Sequence, residues 1–188
     1  MSLSHDENAS VLRNGFDRLA EFDTSMLVAL LRWRSPWLTR LMTGFTRAGD
    51  PQSWVAHGVV LALVTASWQT GALLAASALV ALSASQALKR LFPRARPASR
   101  IADFVTLLED PDAFSFPSGH TSVAFAVAAA LAGSHPQVAC AELMFATVVG
   151  FSRVYLGAHY PADVAAGAAL GIVSGLLAAF GCSMAGLN

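Results

Sequence analysis

Lys89-Arg90-Leu91-Phe92-Pro93-Arg94-Ala95-Arg96-Pro97, Pro117-Ser118-Gly119-His120, and Ser152-Arg153 followed by His159 and Asp163 are where this 188-residue chain gathers polar side chains unusual for its apolar surroundings. Their types suit phosphoryl transfer. Lys89, Arg96 and Arg153 supply positive charge for a phosphate, and Arg adds a planar fork that can bind two oxygens at once. Ser118 and Gly119 stand at the start of an apolar run that reads as a helix, where free main-chain N–H groups and the helix dipole favour an anion. Gly119 lets the backbone approach that anion without a side chain in the way. His159 and Asp163 are four residues apart, one helical turn, so their side chains can meet. A carboxylate on one ring nitrogen fixes the tautomer and leaves the other nitrogen free to attack phosphorus. His120, on a different segment, is left to protonate the departing oxygen as general acid. In-line displacement needs attacker and acid on opposite sides of the phosphorus, which two separate segments can provide.

The elements that must position these residues are membrane helices. The chain is 55% hydrophobic and only 13% charged, against about 25% charged in soluble domains. No charged residue lies between Asp50 and Lys89, between Asp112 and Glu142, or after Asp163. Such stretches fit helices crossing a hydrocarbon core roughly 30 Å thick, which takes about 20 residues each. An all-α integral membrane bundle is therefore expected, since open strand edges cannot face lipid. Five spanning helices are predicted, near 54–68, 72–91, 118–132, 137–156 and 161–185, with Gln69-Thr70-Gly71 separating the first two. The segment 24–47 is apolar, but Arg32, Arg34 and Arg40 would be costly in hydrocarbon and Pro36 breaks it. It reads as two amphipathic helices on the membrane surface. Residues 1–23 form a polar tail without the apolar core of a signal peptide, and 24–188 a single membrane-embedded domain, with 52–188 as its core. In this topology the second helix ends, the third begins and the fourth turns into the fifth on one face, so the three polar segments converge there.

The three strings resemble the signature of the type 2 phosphatidic acid phosphatase (lipid phosphate phosphatase) superfamily. Its first motif, Lys, six residues, then Arg-Pro, is met by Lys89 and Arg96-Pro97; its second by Pro117 to His120; its third by Ser152-Arg153, His159 and Asp163. The resemblance implies a metal-independent phosphohydrolase without a cofactor, working on a lipid phosphate through a phosphohistidine. It implies His159 as nucleophile, Asp163 as its orienting partner, His120 as the acid, and Lys89, Arg96, Ser118, Gly119 and Arg153 as the phosphate cradle. Many members have six spanning helices, one more than this chain offers. Two rival readings share the same residues: a phosphotransferase that passes the phosphoryl group to an acceptor other than water, and a non-catalytic anion- or lipid-binding membrane protein.

Other polar residues receive blander readings. Twelve Lys and Arg balance twelve Asp and Glu, so no basic field points to nucleic acid. Cys140 and Cys182 give no disulfide framework or zinc spacing. His57 reads as structural, His135 as solvated, and His5 lies in the tail. Glu142 reads as interfacially exposed, and Glu109-Asp110-Pro111-Asp112 as a solvated loop. Arg90, Arg94 and Arg100 read as interfacial anchors or headgroup attractors. Gly167, Gly171 and Gly175 predict close helix packing. The loop 98–116, with Phe104, Val105, Leu107, Leu108, Phe114 and Phe116, is expected either to form part of a lipid access path or to pack over the helix ends. In the five-helix reading all twelve cations lie on the catalytic face; charge bias alone would turn that face to the cytoplasm, whereas the resemblance points to the periplasm, the reading adopted.

Overall fold

The computed structural model describes residue 18 and residues 20–101, 106–108 and 112–186. Phe104, Val105, Glu109, Asp110 and His5 lie outside them. Among the described residues every regular element is helical: α1 (20–31), α2 (Pro36–Ala48), α3 (Pro51–Val64), α4 (Trp68–Leu91), the single turn α5 (Pro97–Arg100), α6 (Gly119–Leu131), α7 (Pro136–Tyr155) and α8 (Pro161–Met184). Proline opens α2, α3, α5, α7 and α8. Its fixed φ is ready for the first helical position, where the missing N–H would have had no partner.

Helix α6 is the axis of the bundle. Nine of its 13 residues are buried, as expected for a helix apolar on all sides, and it packs against α8, α7 and α4. The α6–α8 seam is set by glycine. A Cβ at Gly167 would lie 2.7 Å from the Ser118 carbonyl oxygen, and at Gly171 and Gly175 it would meet the carbonyls of Ser122 and Ala126 closer still. Backbone cannot yield as a side-chain tip can, so the two helices would have to part. Gly171→Val is expected to abolish monodisperse elution in detergent, whereas Gly181→Ala, with open space around it, leaves elution unchanged.

Helices α4, α7 and α8 are long and apolar enough to cross a bilayer, while α3 and α6 are shorter apolar helices. All five occur close to the expected positions. The outer faces carry exposed Val55, Leu63, Leu79, Leu177 and Phe180, an apolar surface suited to lipid rather than water. The segment before them divides at 32–35 into α1 and α2, as Pro36 predicts.

Three expectations are corrected. The break between the first two apolar helices is at 65–67, not at Gln69-Thr70-Gly71: Ala66 takes a positive φ of 50°, and the Ser67 hydroxyl caps α4 by accepting from the Thr70 N–H at 3.3 Å. Gly71 lies inside α4, where a Cβ would stand 3.2 Å from that of Ala62, so it serves hairpin packing. Glu142 is not exposed at the interface. It is buried, with Oε1 2.8 Å from His57 Nε2, and the His57 ring stacks near Trp54 and Phe145. Finally, residues 20–23, expected as tail, belong to α1, and Asp23 is buried.

Candidate active site

Five helix ends meet at one end of the bundle: the start of α3, the end of α4, the start of α6, the end of α7 and the start of α8. Hydrogen bonds to main-chain carbonyls tie several of them together. The Ser118 N–H, at the cap of α6, donates to the Asp163 carbonyl of α8 at 3.0 Å. Arg96, after α4, donates through Nη1 to the Ala158 carbonyl at 2.9 Å and through Nε to the Asp112 carbonyl at 2.7 Å. The His159 N–H donates to the Arg153 carbonyl at 3.3 Å. The second and third strings are thus joined through their backbones, and the first is joined to the third through the Arg96 side chain.

His159 and Asp163 are both buried, with His159 Nδ1 3.7 Å from Asp163 Oδ2. That separation exceeds a hydrogen bond; catalytic contacts are often long before substrate binds. Burial, offset in part by Asp163 and reinforced by the positive charges of Arg153 and Arg96, lowers the His159 pKa to about 4. The ring therefore rests neutral. Asp163 itself is held firmly: Oδ2 accepts from the Tyr160 N–H at 2.9 Å, capping α8, and Oδ1 accepts from Arg94 Nη1 at 2.7 Å.

His120 Nε2 lies 2.9 Å from Asp50 Oδ1. Asp50 caps α3 just before Pro51, so its carboxylate is placed by the start of a helix to orient the ring. Lys89 is buried and pairs with the half-exposed Asp112 carboxylate, which also accepts from Gln86 Nε2 at 3.4 Å. Arg153 is buried, and its Nη1 donates to Thr46 Oγ1 of α2 at 2.9 Å. Ser118 is buried with its N–H committed to Asp163 and its Oγ accepting from Thr121 Oγ1 at 2.9 Å. The Ser118 N–H is therefore not open to an anion as expected, and the first-turn N–H groups of α6 from Gly119 on are those without intrahelical acceptors.

A cavity of about 970 Å³ starts at this cluster, with Lys89, Gly119, His120 and His159 in its wall, and runs down α4 past Leu82 to Trp68. That span of 21 residues is about 31 Å of helix. Its opposite wall is α3, and Val55, Val59, Leu79 and Trp68 both line it and are exposed. The polar end holds His120, His159 and Lys89; the rest is a mainly apolar groove between α3 and α4, with His57 of α3 also in its wall. In the loop 98–116, Leu108 packs with Met42 and Tyr155, and the Leu107 N–H donates to the Leu156 carbonyl at 3.2 Å. These two residues cover helix ends, while Asp112 of the same loop lies in the cavity wall.

Four partners escaped the sequence reading. Asp50, Asp112 and Asp23 come from segments with no motif, and Arg94 sits inside the first string but is expected there as an interfacial anchor or headgroup attractor. Arg94 joins Asp163 to Asp23 through Nη2 at 2.7 Å and lies over the Tyr160 ring, 4.1 Å from its centroid. The available signal was that Asp50 is the last charge before a long apolar run on the same face.

The chain and its fold are similar to those of known proteins. The model of the PAP2 superfamily matches residues 67–182. Phosphatidylglycerophosphatase B of Bacillus subtilis is 31% identical over 166 residues, covering 80% of this chain and 78% of that protein. An undecaprenyl-diphosphatase of Sulfolobus acidocaldarius is 28% identical over 135 residues, covering 71% and 66%. The crystal structure of the transmembrane PAP2 type phosphatidylglycerolphosphate phosphatase from Bacillus subtilis superposes with a TM-score of 0.70 at 28% identity, covering 89% of this chain and 87% of that one. Several curated relatives are matched over only 40% to 66% of their own length. The apolar helices and these membrane-embedded neighbours make this a membrane protein. With the family match extending over more than half of its residues, the chain belongs to the PAP2 superfamily.

Proposed function

We propose that this protein hydrolyses the phosphate monoester or pyrophosphate of a membrane lipid through a phosphohistidine. The observation that carries the reading is the cavity: two histidines and Lys89 lie at the polar end of an apolar groove open to the side of the bundle. A headgroup phosphate reaches the cations while its chain stays along α4. Lys89, Arg96, Arg153 and the α6 N-terminus hold the phosphate oxygens, with the Ser118 hydroxyl as a further donor. His159, with Nδ1 turned to Asp163, attacks phosphorus through Nε2. The P–N bond forms as the P–O bond to the lipid breaks, and His120 gives its proton to the leaving oxygen. Water then attacks phosphorus, losing its proton to His120, and the new P–O bond forms as the P–N bond breaks, which releases inorganic phosphate and restores neutral His159.

Phosphatidic acid, phosphatidylglycerophosphate and polyprenyl pyrophosphates are the substrates proposed, and relatives named for the last two classes support this choice. The catalytic face is proposed to lie on the periplasmic side of a bacterial inner membrane, with α1 and α2 in the interface; labelling of single cysteines placed in the 98–116 loop of intact cells tests the orientation. The activity is tested with purified protein in detergent, supplied with each of these lipids. Phosphate release is expected without added acceptor, unaffected by chelator and blocked by vanadate, which mimics pentacoordinate phosphorus. A strict divalent-cation requirement would overturn the mechanism, and release only on adding an acceptor alcohol would make the protein a phosphotransferase.

A further inference from the structure

The charges around His159 do not balance within the three strings. Arg96 and Arg153 both act on the ring, and the carboxylate that should offset them, Asp163, is itself bound to a third guanidinium, Arg94, at 2.7 Å. An Arg94–Asp163 pair alone is neutral and would offer little to a positive charge forming on the imidazole. The missing negative charge comes from outside the matched segment 67–182. Asp23 of α1 is 1% exposed. Its Oδ2 accepts from Arg94 Nη2 at 2.7 Å, and its Oδ1 accepts from the Ala162 N–H, in the first turn of α8, at 2.8 Å.

We infer that Asp23 is a positioning residue for the nucleophile, holding Arg94 and the first turn of α8 so that Asp163 faces His159 with a net negative charge. The inference rests on the phosphatase reading above. The geometry supports it in two ways. The Asp23–Arg94–Asp163 chain sums to one negative charge, so the side facing His159 stays anionic although a guanidinium is built into it. The planar fork of Arg94 spans both carboxylates at once, a two-sided grip that a lysine ammonium does not reproduce, and its face is fixed on the Tyr160 ring. Tyr160 is the residue next to the nucleophile and the cap of α8. Helix α1 thereby becomes part of the machinery: Leu27, one turn on from Asp23, packs with Val154 and Tyr160 and keeps the carboxylate in place. Asp23 does not touch the phosphate. It acts through Arg94 and Asp163, so its removal weakens stabilisation of the charge that develops during attack and not substrate binding.

The test uses full-length protein in detergent with a short-chain phosphatidic acid, measuring kcat and KM separately alongside the thermal midpoint. Asp23→Asn keeps the shape and removes the charge. Its kcat is expected to fall about 10- to 100-fold with KM within twofold of wild type, and Asp23→Glu is expected to recover most of the loss. Removing the paired cation as well, in Asp23→Asn/Arg94→Gln, leaves Asp163 as the single charge and is expected to be faster than Asp23→Asn alone; a purely structural contact predicts the double variant to be slower. Should Asp23→Asn fail to fold, Arg94→Lys decides, with a kcat loss at constant KM expected. An Asp23→Asn enzyme within twofold of wild-type kcat, a loss borne by KM, or a double variant slower than the single overturns the inference. If those outcomes occur while wild type releases phosphate, the phosphatase reading stands without it; a wild type that releases none overturns both.

Discussion

His159→Ala is expected to lower phosphate release by on the order of 10⁴-fold or more, the scale seen when a covalent nucleophile is removed, while the variant still folds and still binds lipid phosphate. Binding is expected to survive because the cations proposed to hold the anion, Lys89, Arg96 and Arg153, come from other positions and are kept in place by Asp112, the Ala158 carbonyl and Thr46. Trapping with radiolabelled phosphatidic acid followed by an alkaline quench should label wild type and leave the variant unlabelled. A variant that hydrolyses at the wild-type rate sinks the phosphohistidine at His159, and a wild type that binds lipid phosphate without releasing phosphate returns the protein to the class of anion-binding membrane proteins. The pH dependence follows from the same residue. Its pKa of about 4, set by burial and the neighbouring cations, keeps the ring neutral across the ordinary range, so an acid limb due to the nucleophile falls near pH 4 and not near 6.5. The sign for stability is also fixed. The unfolded chain takes up a proton below about 6.5 that the folded one refuses until about 4. Stability is therefore full above 6.5 and is lost as the pH falls through that window. In His159→Ala the thermal midpoint should fall less steeply there.

His120→Asn is expected to separate substrates by their leaving group. General acid catalysis contributes about 10²- to 10⁴-fold, and a lipid alkoxide needs that proton far more than a nitrophenolate does. Loss of kcat/KM, which reports leaving-group departure and not the later hydrolysis in which His120 serves as base, should reach that range with phosphatidic acid and stay several-fold with p-nitrophenyl phosphate. Equal losses on both would mean that His120 serves binding or folding. The geometry favours the acid role: His120 lies in the first turn of α6, in the wall of the groove that His159 also lines, and its ring is held by Asp50 rather than by the phosphate cations.

Much of this arrangement was legible because it is written in local chemistry. Proline and apolar run lengths mark where α2, α7 and α8 begin, and the spacing of Gly167, Gly171 and Gly175 marks the seam against α6. Spacing likewise places Asp163 one turn beyond His159. The break before α4 was misplaced because a glycine weighs the same in sequence whether it breaks a helix or lets two helices touch; only the contact of Gly71 with Ala62 distinguishes them. Glu142 was misread for a similar reason. Its position along α7 is visible in the chain, but the imidazole that permits its burial stands 85 residues away.

What the amino-acid order alone determined is the inventory and its gathering at one end of the helices: cations, two imidazoles and a carboxylate, delivered by segments that begin and end the apolar runs. What only the tertiary structure decided is who neutralises whom. A buried charge is stable only with a partner in contact, and contact between Asp23, Arg94 and Asp163, or between Asp50 and His120, is made by helices packing side by side. No periodicity records those pairs, because the residues that meet belong to segments with no spacing in common.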